Sequence, residues 1–277
     1  MLRAIDDDRW FEIQFDPKAA NEKYGVTLPS LPTDDVQVGF TGLGGRQNLR
    51  QAFEFYRYVR DVCGLAEIDN PYLLDFGGGW GRVSRFFLRH TKPEHIYVAE
   101  TREYAIECLR GTGARYTIIH NQTRPPIKGL PAQLDLVFAY SVFSHLSQEY
   151  FHDWLTYLLS VLRPGGHLAF TTRGHSFIRH LQHLHHSTER HHANLEEHVR
   201  RLREELPYPE EISRRHSAGE FQFYPIGGAQ ELTANFFGET FIPKVYIEQH
   251  FPHLLVDFNE QVPNVDQSIV ILLKPQT

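Results

Sequence analysis

The sequence predicts a doubly wound α/β fold, and three observations carry that prediction: short unbroken apolar runs, amphipathic segments between them, and a glycine-rich turn after the first run. From Pro71 onward "YLLDF", "HIYVA", "YTIIH", "LDLVFAY" and "HLAFTT" read as strands buried on both faces. The segments "RVSRFFLRH", "EYAIECLR" and "QEYFHDWLTYLLSVL" read as the helices between them, with "RPGG" as the stop and turn before the fifth strand. Strand alternating with helix is the order a parallel sheet with crossover helices requires.

The flanking segments follow from the same periodicities. Residues 1 to 45 read as an N-terminal arm closing in the flexible run "FTGLGG", after which Leu49, Ala52, Phe53, Tyr56, Val59 and Cys63 mark one face of a helix. Between Gly174 and about Gly228 the rhythm gives way to a long polar segment. There Leu195, Val199, Leu202 and Leu206 form an amphipathic stripe that "PYPEE" ends, which reads as an inserted helical lid. Beyond it "PKVYIEQHF" reads as a short helix, and "LLVDF" and "SIVILLK" as two strands closing the sheet edge. The expected division is an arm and helix over 1–70 and a main domain over 71–277, with the lid inserted at about 175–228.

Composition bounds the class. A chain of 277 residues, 41% apolar and 22% charged, has enough material for one sizeable core. Cys63 and Cys108 show no ligand spacing and read as reduced thiols, as in the cytoplasm. "MLRAIDDDRWFEIQF" lacks the basic and apolar regions of a signal peptide, and no run is long enough to span a bilayer, so no membrane association is expected. With 28 Lys+Arg against 34 Asp+Glu, the formal charge of -6 argues against nucleic acid as a partner.

The stretch "LLDFGGGWGR" brings Asp75 and glycines 77, 78, 79 and 81 to the carboxyl end of the first strand, the edge where doubly wound sheets bind ligands. A dinucleotide loop has its third glycine three positions after the second. Here Gly77, Gly79 and Gly81 are spaced two and two, and Arg82 stands where that loop carries glycine, so the turn suits a ligand without a pyrophosphate. Glu100 ends the second strand, nineteen residues beyond Gly81, where a carboxylate accepts hydrogen bonds from a ribose diol. An adenosyl group with an unphosphorylated ribose fits both features.

On these residues the chain resembles the class I S-adenosylmethionine-dependent methyltransferases, particularly small-molecule enzymes of bacterial biosynthetic loci. "LLDFGGGWGR" is similar to the family's first motif, "YVAE" to its second, and "LDLVFAYSVFSHLS" and "LRPGGHLAFTT" to the fourth-strand motif and the turn into strand five. "HNQTRPPI" resembles the loop after the third strand, where the family usually has Asp at the adenine amine and this chain has Asn121. The resemblance implies a Rossmann-like seven-stranded sheet with an antiparallel last strand, S-adenosyl-L-methionine as cofactor and a small-molecule acceptor. It implies cofactor contacts from Asp75, Gly77, Gly78, Gly79, Gly81, Glu100, Thr101, Asn121 and Tyr140. Thr41 and Arg46 join them from an arm folded over the cofactor, Arg46 through the methionine carboxylate.

At the catalytic edge, His145 follows the fourth strand and His175 the fifth, and both are candidate proton acceptors because imidazole titrates near neutrality. Packing under the cofactor is the other reading of His145. Strand alternation lets Arg173 face substrate, and Tyr224 is a second candidate substrate contact. Nine of the 17 histidines fall at 175, 180, 183, 185, 186, 191, 192, 198 and 216. No familiar metal-ligand motif organises them, so they read as a solvated helix face or a subunit contact of a homodimer, with no metal expected. The favoured activity is methyl transfer to a hydroxyl of a sugar or related metabolite. A nicotinamide-dependent oxidoreductase shares the strand–helix–strand unit, but the glycine spacing speaks against it. A non-catalytic S-adenosylmethionine-binding module with the His-rich lid as its interface is the third reading, opposed by the intact Gly77, Gly79, Gly81 and Glu100.

Overall fold

The computed structural model describes residues 2–131, 133–186, 193–228 and 232–276. The expectations for His191 and His192, and those for the side chains of Leu195 and His198, lie outside the described residues.

Four helices open the chain: α1 (Asp7–Glu12), α2 (Pro17–Tyr24), α3 (Asp34–Thr41) and α4 (Gly45–Val62). Asp6 and Asp16 cap α1 and α2 by accepting the Arg9 and Ala19 backbone N–H groups, and Pro17 starts α2 where no donor is needed. "FTGLGG" is a fixed helix–helix corner rather than a flexible run. Thr41 ends α3, Gly42 turns back with φ 74° to bond Val38, and the Thr41 hydroxyl is held between α3 and Asn48 of α4. Helix α4 buries Leu49, Ala52, Phe53, Tyr56 and Val59, the face expected from their spacing.

The main layer follows in order: β1 (Leu73–Phe76), α5 (Ser84–Phe87), β2 (Ile96–Glu100), α6 (Glu103–Gly111), β3 (Thr117–His120), β4 (Leu134–Ala139), α7 (Gln148–Val161) and β5 (Leu162–Thr172). Helices α8 (His175–His186), α9 (Ala193–Glu205) and α10 (Pro209–Ser217), in the segment expected as a lid, come next. A short hairpin, β6 (Gln222–Tyr224) and β7 (Glu239–Phe241), precedes α11 (Lys244–His250), β8 (Leu255–Asn259) and β9 (Ser268–Leu273). The seven-stranded sheet has the order β3-β2-β1-β4-β5-β9-β8, parallel except for β9, which runs antiparallel to both β5 and β8.

Both faces of this sheet are covered, which explains why the strands read as unbroken apolar runs. Leu73, Leu136, Phe138, Ala169, Ile269 and Ile271 pack with the N-terminal helices, while Leu74, Val137, Leu168, Phe170, Val270 and Leu272 pack toward α7 and α11. The lid has its own small core, in which Val199, Leu202, Leu206 and Ile212 meet Phe177, Ile178, Leu181 and Phe241. Among the described residues no helix is long and apolar enough to cross a membrane.

Two further local expectations are corrected. "RPGG" does not precede the fifth strand but lies within it: pairing jumps from Leu134↔Leu162 to Leu136↔His167, and Gly165, at φ 74°, lets the strand bulge and resume. "RVSRFFLRH" holds only the single turn of α5, since Arg85 is drawn inward to bond Gln14 and Pro29 and the following turns tighten to His90→Phe87.

Candidate functional site

The site is built around the turn between β1 and α5. Gly77 carries its N–H to the Ala99 carbonyl at 2.8 Å, which ties the turn to β2, and at φ 72° a side chain there would also run into Val142. At Gly78 an added Cβ would lie 2.5 Å from Val98 and 2.8 Å from the Asp75 carboxyl carbon, so the backbone passes directly over both. Gly81 closes the turn by bonding the Gly78 carbonyl at 2.9 Å. Asp75 is turned beneath this loop, where its carboxylate accepts from the Ser84 hydroxyl at 2.6 Å. Burial pushes its pKa up to about 7; the Ser84 bond opposes the rise and the Glu100 charge adds to it. The side chain thus orders the loop from below.

Arg82 fills the position a dinucleotide loop gives to glycine because it faces inward. Its Nη1 donates to the Asn48 side chain at 2.7 Å and to Gln51 at 2.8 Å, and its guanidinium lies 4.7 Å above the Tyr140 ring. Tyr140 in turn packs edge-on against Phe55 of α4. Both residues bind the turn to α4.

Glu100 is buried, at 3% exposure. One of its oxygens accepts from the Gly79 N–H at 3.1 Å, the other from the Thr101 and Arg102 N–H groups at 2.9 and 3.0 Å, with the Arg102 guanidinium at 3.3 Å. On the Gly79 side the same oxygen also meets Arg102 Nη2, at 3.5 Å a longer and weaker contact than the bond a hydroxyl donor would make there. Asn121 follows β3, with its amide nitrogen donating to the Gln122 carbonyl and its Oδ1 buried without a hydrogen-bond partner. A buried orphan acceptor costs roughly 1–3 kcal/mol unless a ligand satisfies it.

The arm does cover this turn, although not through the residues expected. Phe40 of α3 lies against Gly79, stacked on Tyr104 at 5.8 Å and beneath Arg102 at 5.1 Å. Thr41 is spent on the α3–α4 corner. Arg46 is paired in two bonds with Glu12 at 2.5 and 3.1 Å and lies over Phe15, so the guanidinium is engaged within the arm. Sequence patterns carry no signal for Phe40, Arg102 or Tyr104, whose meeting depends on how α3 folds back.

Beyond β4 lies the edge where sequence placed the candidate catalytic and substrate residues. Ser141 has φ 59°, uncommon for a residue with a side chain, and its N–H donates to Thr171 at 2.7 Å. His145 stacks on Phe237 at 4.8 Å, its Nδ1 lies 2.7 Å from the Gly238 carbonyl, and its Nε2 lies 3.4 Å from Ser141 Oγ. Arg173 donates its Nε to the buried Glu239 at 2.8 Å and rests on Phe177, so its guanidinium is committed to an internal pair rather than to an open pocket. Tyr224 packs into the lid core, its hydroxyl donating to Gln222 at 2.7 Å. His175 faces the other way, across β9 to Glu260 at 2.9 Å, edge-on to His216, in a pocket of about 430 Å³ also lined by Lys244 and Phe258. The two candidate histidines therefore stand on opposite sides of β5. Among the described residues no His, Cys, Asp or Glu group has the arrangement of a metal site.

Residues 74–168 match the family model described as a methyltransferase domain. Solved structures with the same architecture include an S-adenosylmethionine-dependent methyltransferase from Clostridium acetobutylicum ATCC 824, 10% identical with a TM-score of 0.53 over 80% of this chain and 91% of that one. A proposed S-adenosylmethionine-dependent methyltransferase from Listeria monocytogenes is likewise 10% identical at 0.53, over 80% of this chain and 99% of that one. Likeness at this identity is a likeness of fold. No curated protein matches the sequence.

Proposed function

We infer that this chain, whose residues 74–168 match a methyltransferase-domain model and whose fold is that of S-adenosylmethionine-dependent methyltransferases, transfers the methyl group of S-adenosylmethionine to a hydroxyl of a small acceptor, a sugar or related metabolite. The observation that carries the reading is the pair of buried acceptors at the ends of the neighbouring strands β2 and β3: the Glu100 carboxylate, bonded to the glycine turn, for a ribose diol and the unpartnered Asn121 Oδ1 for an adenine amine. The glycine turn takes the amino-acid end, and Phe40 keeps water from it. Bound there, S-adenosylmethionine supplies an electrophilic methyl group on a sulfonium.

The remaining work falls to the chain. Holding the acceptor in line contributes about 7–11 kcal/mol to lowering the barrier, whereas a general base adds on the order of 10²–10⁴-fold. A neutral hydroxyl needs the base where an amine does not, and His145 Nε2 beside Ser141 supports the hydroxyl reading. The formal charge of -6 weighs against a nucleic acid acceptor, and the free Cys63 and Cys108 suit a reducing compartment such as the cytoplasm.

Titration calorimetry of cofactor-free protein with S-adenosylhomocysteine tests the reading. Binding is expected, and Glu100→Gln should weaken it at least tenfold, since bonds to a charged acceptor are worth about 1.5–3 kcal/mol each. No heat with the wild type would end the proposal. Turnover across a panel of sugars and phenols then separates an enzyme from a binding module.

A further inference from the structure

We propose that Glu239 is the positioning residue for His145, brought to the site by β7 from beyond the lid; the proposal rests on the reading of His145 as the base. A carbonyl oxygen only accepts, so the 2.7 Å contact from Gly238 requires that Nδ1 carry the ring proton. Nε2 then holds the lone pair, on the side of Ser141 Oγ. Stacking on Phe237, with 10° between the planes, fixes the ring.

Behind this ring lies Glu239, 1% exposed, with Oε1 3.7 Å from Nδ1. Its other oxygen accepts from Arg173 Nε at 2.8 Å. The carboxylate thus bridges the ring and the Arg173 guanidinium, one oxygen toward each. The Arg173 guanidinium offsets the charge of the buried Glu239 carboxylate, and Glu239 stabilises the imidazolium that forms when Nε2 takes up a proton. In the transfer step the acceptor O–H bond breaks and its proton goes to Nε2. The oxygen electron pair bonds the methyl carbon as the carbon–sulfur bond breaks, its pair passing to sulfur to give S-adenosylhomocysteine. Arg173, expected from sequence to face substrate, thus acts two residues removed from it.

The test reads the ring itself. In full-length protein with ¹⁵N-labelled histidine, His145→Asn identifies the His145 signals. The wild type should show the Nδ1–H tautomer, and in Glu239→Gln the pH midpoint for protonating that ring should fall by about one pH unit. An Nε2–H tautomer, or an unchanged midpoint in a Glu239→Gln protein with wild-type circular dichroism, would overturn the proposal. If Glu239→Gln does not fold, Glu239→Asp, whose carboxylate is withdrawn by one methylene, should still lower the midpoint, by less than about one pH unit, and an unchanged midpoint in that variant overturns the proposal as well. These spectra need no acceptor and no cofactor. A failure to bind S-adenosylhomocysteine would sink the methyltransferase reading while leaving the Glu239–His145 result to stand or fall by itself.

Discussion

Arg82 Nη1 donates to the side-chain oxygen of Asn48 at 2.7 Å, with both residues withdrawn from solvent. Asn48 passes the connection on, its amide donating to Gln37 Oε1 at 3.0 Å, and Gln37 donates to the Pro32 carbonyl at 2.9 Å. A polar thread therefore runs from the glycine turn through α4 to the arm helix α3.

Cutting that thread should loosen the turn. Arg82→Met removes the donor and leaves the acceptors of Asn48 and Gln51 buried without it, at about 1.5–3 kcal/mol for a bond to a charged group. Urea denaturation should register this loss, accompanied by weaker S-adenosylhomocysteine binding. Wild-type stability in the variant would mean that Arg82 is merely accommodated.

Asp75 gives a pH signature. Burial raises its folded pKa to about 7, above the value of about 3.9 for an unfolded aspartate, so the folded state binds the extra proton between these values. Its contribution to stability is complete below about pH 4 and is lost as pH rises toward 7, at a limit of about 1.4 kcal/mol per pH unit. Asp75→Asn should remove this slope, so the stability of the variant relative to wild type should rise between pH 5 and pH 7 in parallel urea titrations. A constant difference across that range would show that Asp75 stays ionised.

The orphan oxygen of Asn121 predicts base selectivity. Wild-type protein should bind S-adenosylhomocysteine more tightly than its inosine counterpart, which offers an acceptor where adenine offers a donor; Asn121→Leu should erase the preference. A net hydrogen bond of about 0.5–1.5 kcal/mol corresponds to a few-fold to about tenfold in Kd. Equal wild-type affinities for the two ligands would place the base elsewhere.

His216 and His90 set the acid limit. Burial pushes them down to about 4 and about 3, with the His175 and Arg89 charges adding to the effect. Because their folded values lie below the unfolded value of about 6.5, their contribution is present above that pH and lost as pH falls through the window below it. Melting temperatures taken at pH 7.5 and pH 5 should drop more for wild type than for His216→Leu. An identical drop in both proteins would assign the acid sensitivity to other groups.

The strand order, the glycine turn and Glu100 were legible because each lives in a short window: unbroken apolar runs, a fixed glycine spacing, an acid at a strand end. The amphipathic stripe of α9 was legible from its spacing, and the small core it shares with α8 and α10 follows from the same residues. What sequence concealed comes from tertiary meetings. Phe40 reaches Gly79 only because α3 folds back, and Glu239 reaches His145 through a hairpin of three-residue strands too short for periodicity to reveal. Arg46 and Arg173 looked like ligand contacts because an arginine near a site resembles a clamp; Glu12 and Glu239 claim them instead. Ser141 hid its left-handed backbone because that conformation is usually advertised by glycine.

The β6–β7 hairpin also bears on how the molecule comes together in time. The strands that frame the glycine turn follow one another within residues 73–139, so their pairings close short loops. The bond between His145 and Gly238 closes one of 93 residues, and strand β5 meets β9 across a comparable distance. Contacts of long sequence separation form slowly, since chain entropy is lost before they repay it. On the ribosome, where synthesis runs at about 5–20 residues per second, the glycine turn and strands β1 to β3 emerge several seconds before Gly238. Synthesis of the two parts is thus staggered: the strands around the glycine turn leave the ribosome first, and the His145 ring gains its bond to Gly238 only after the hairpin has followed.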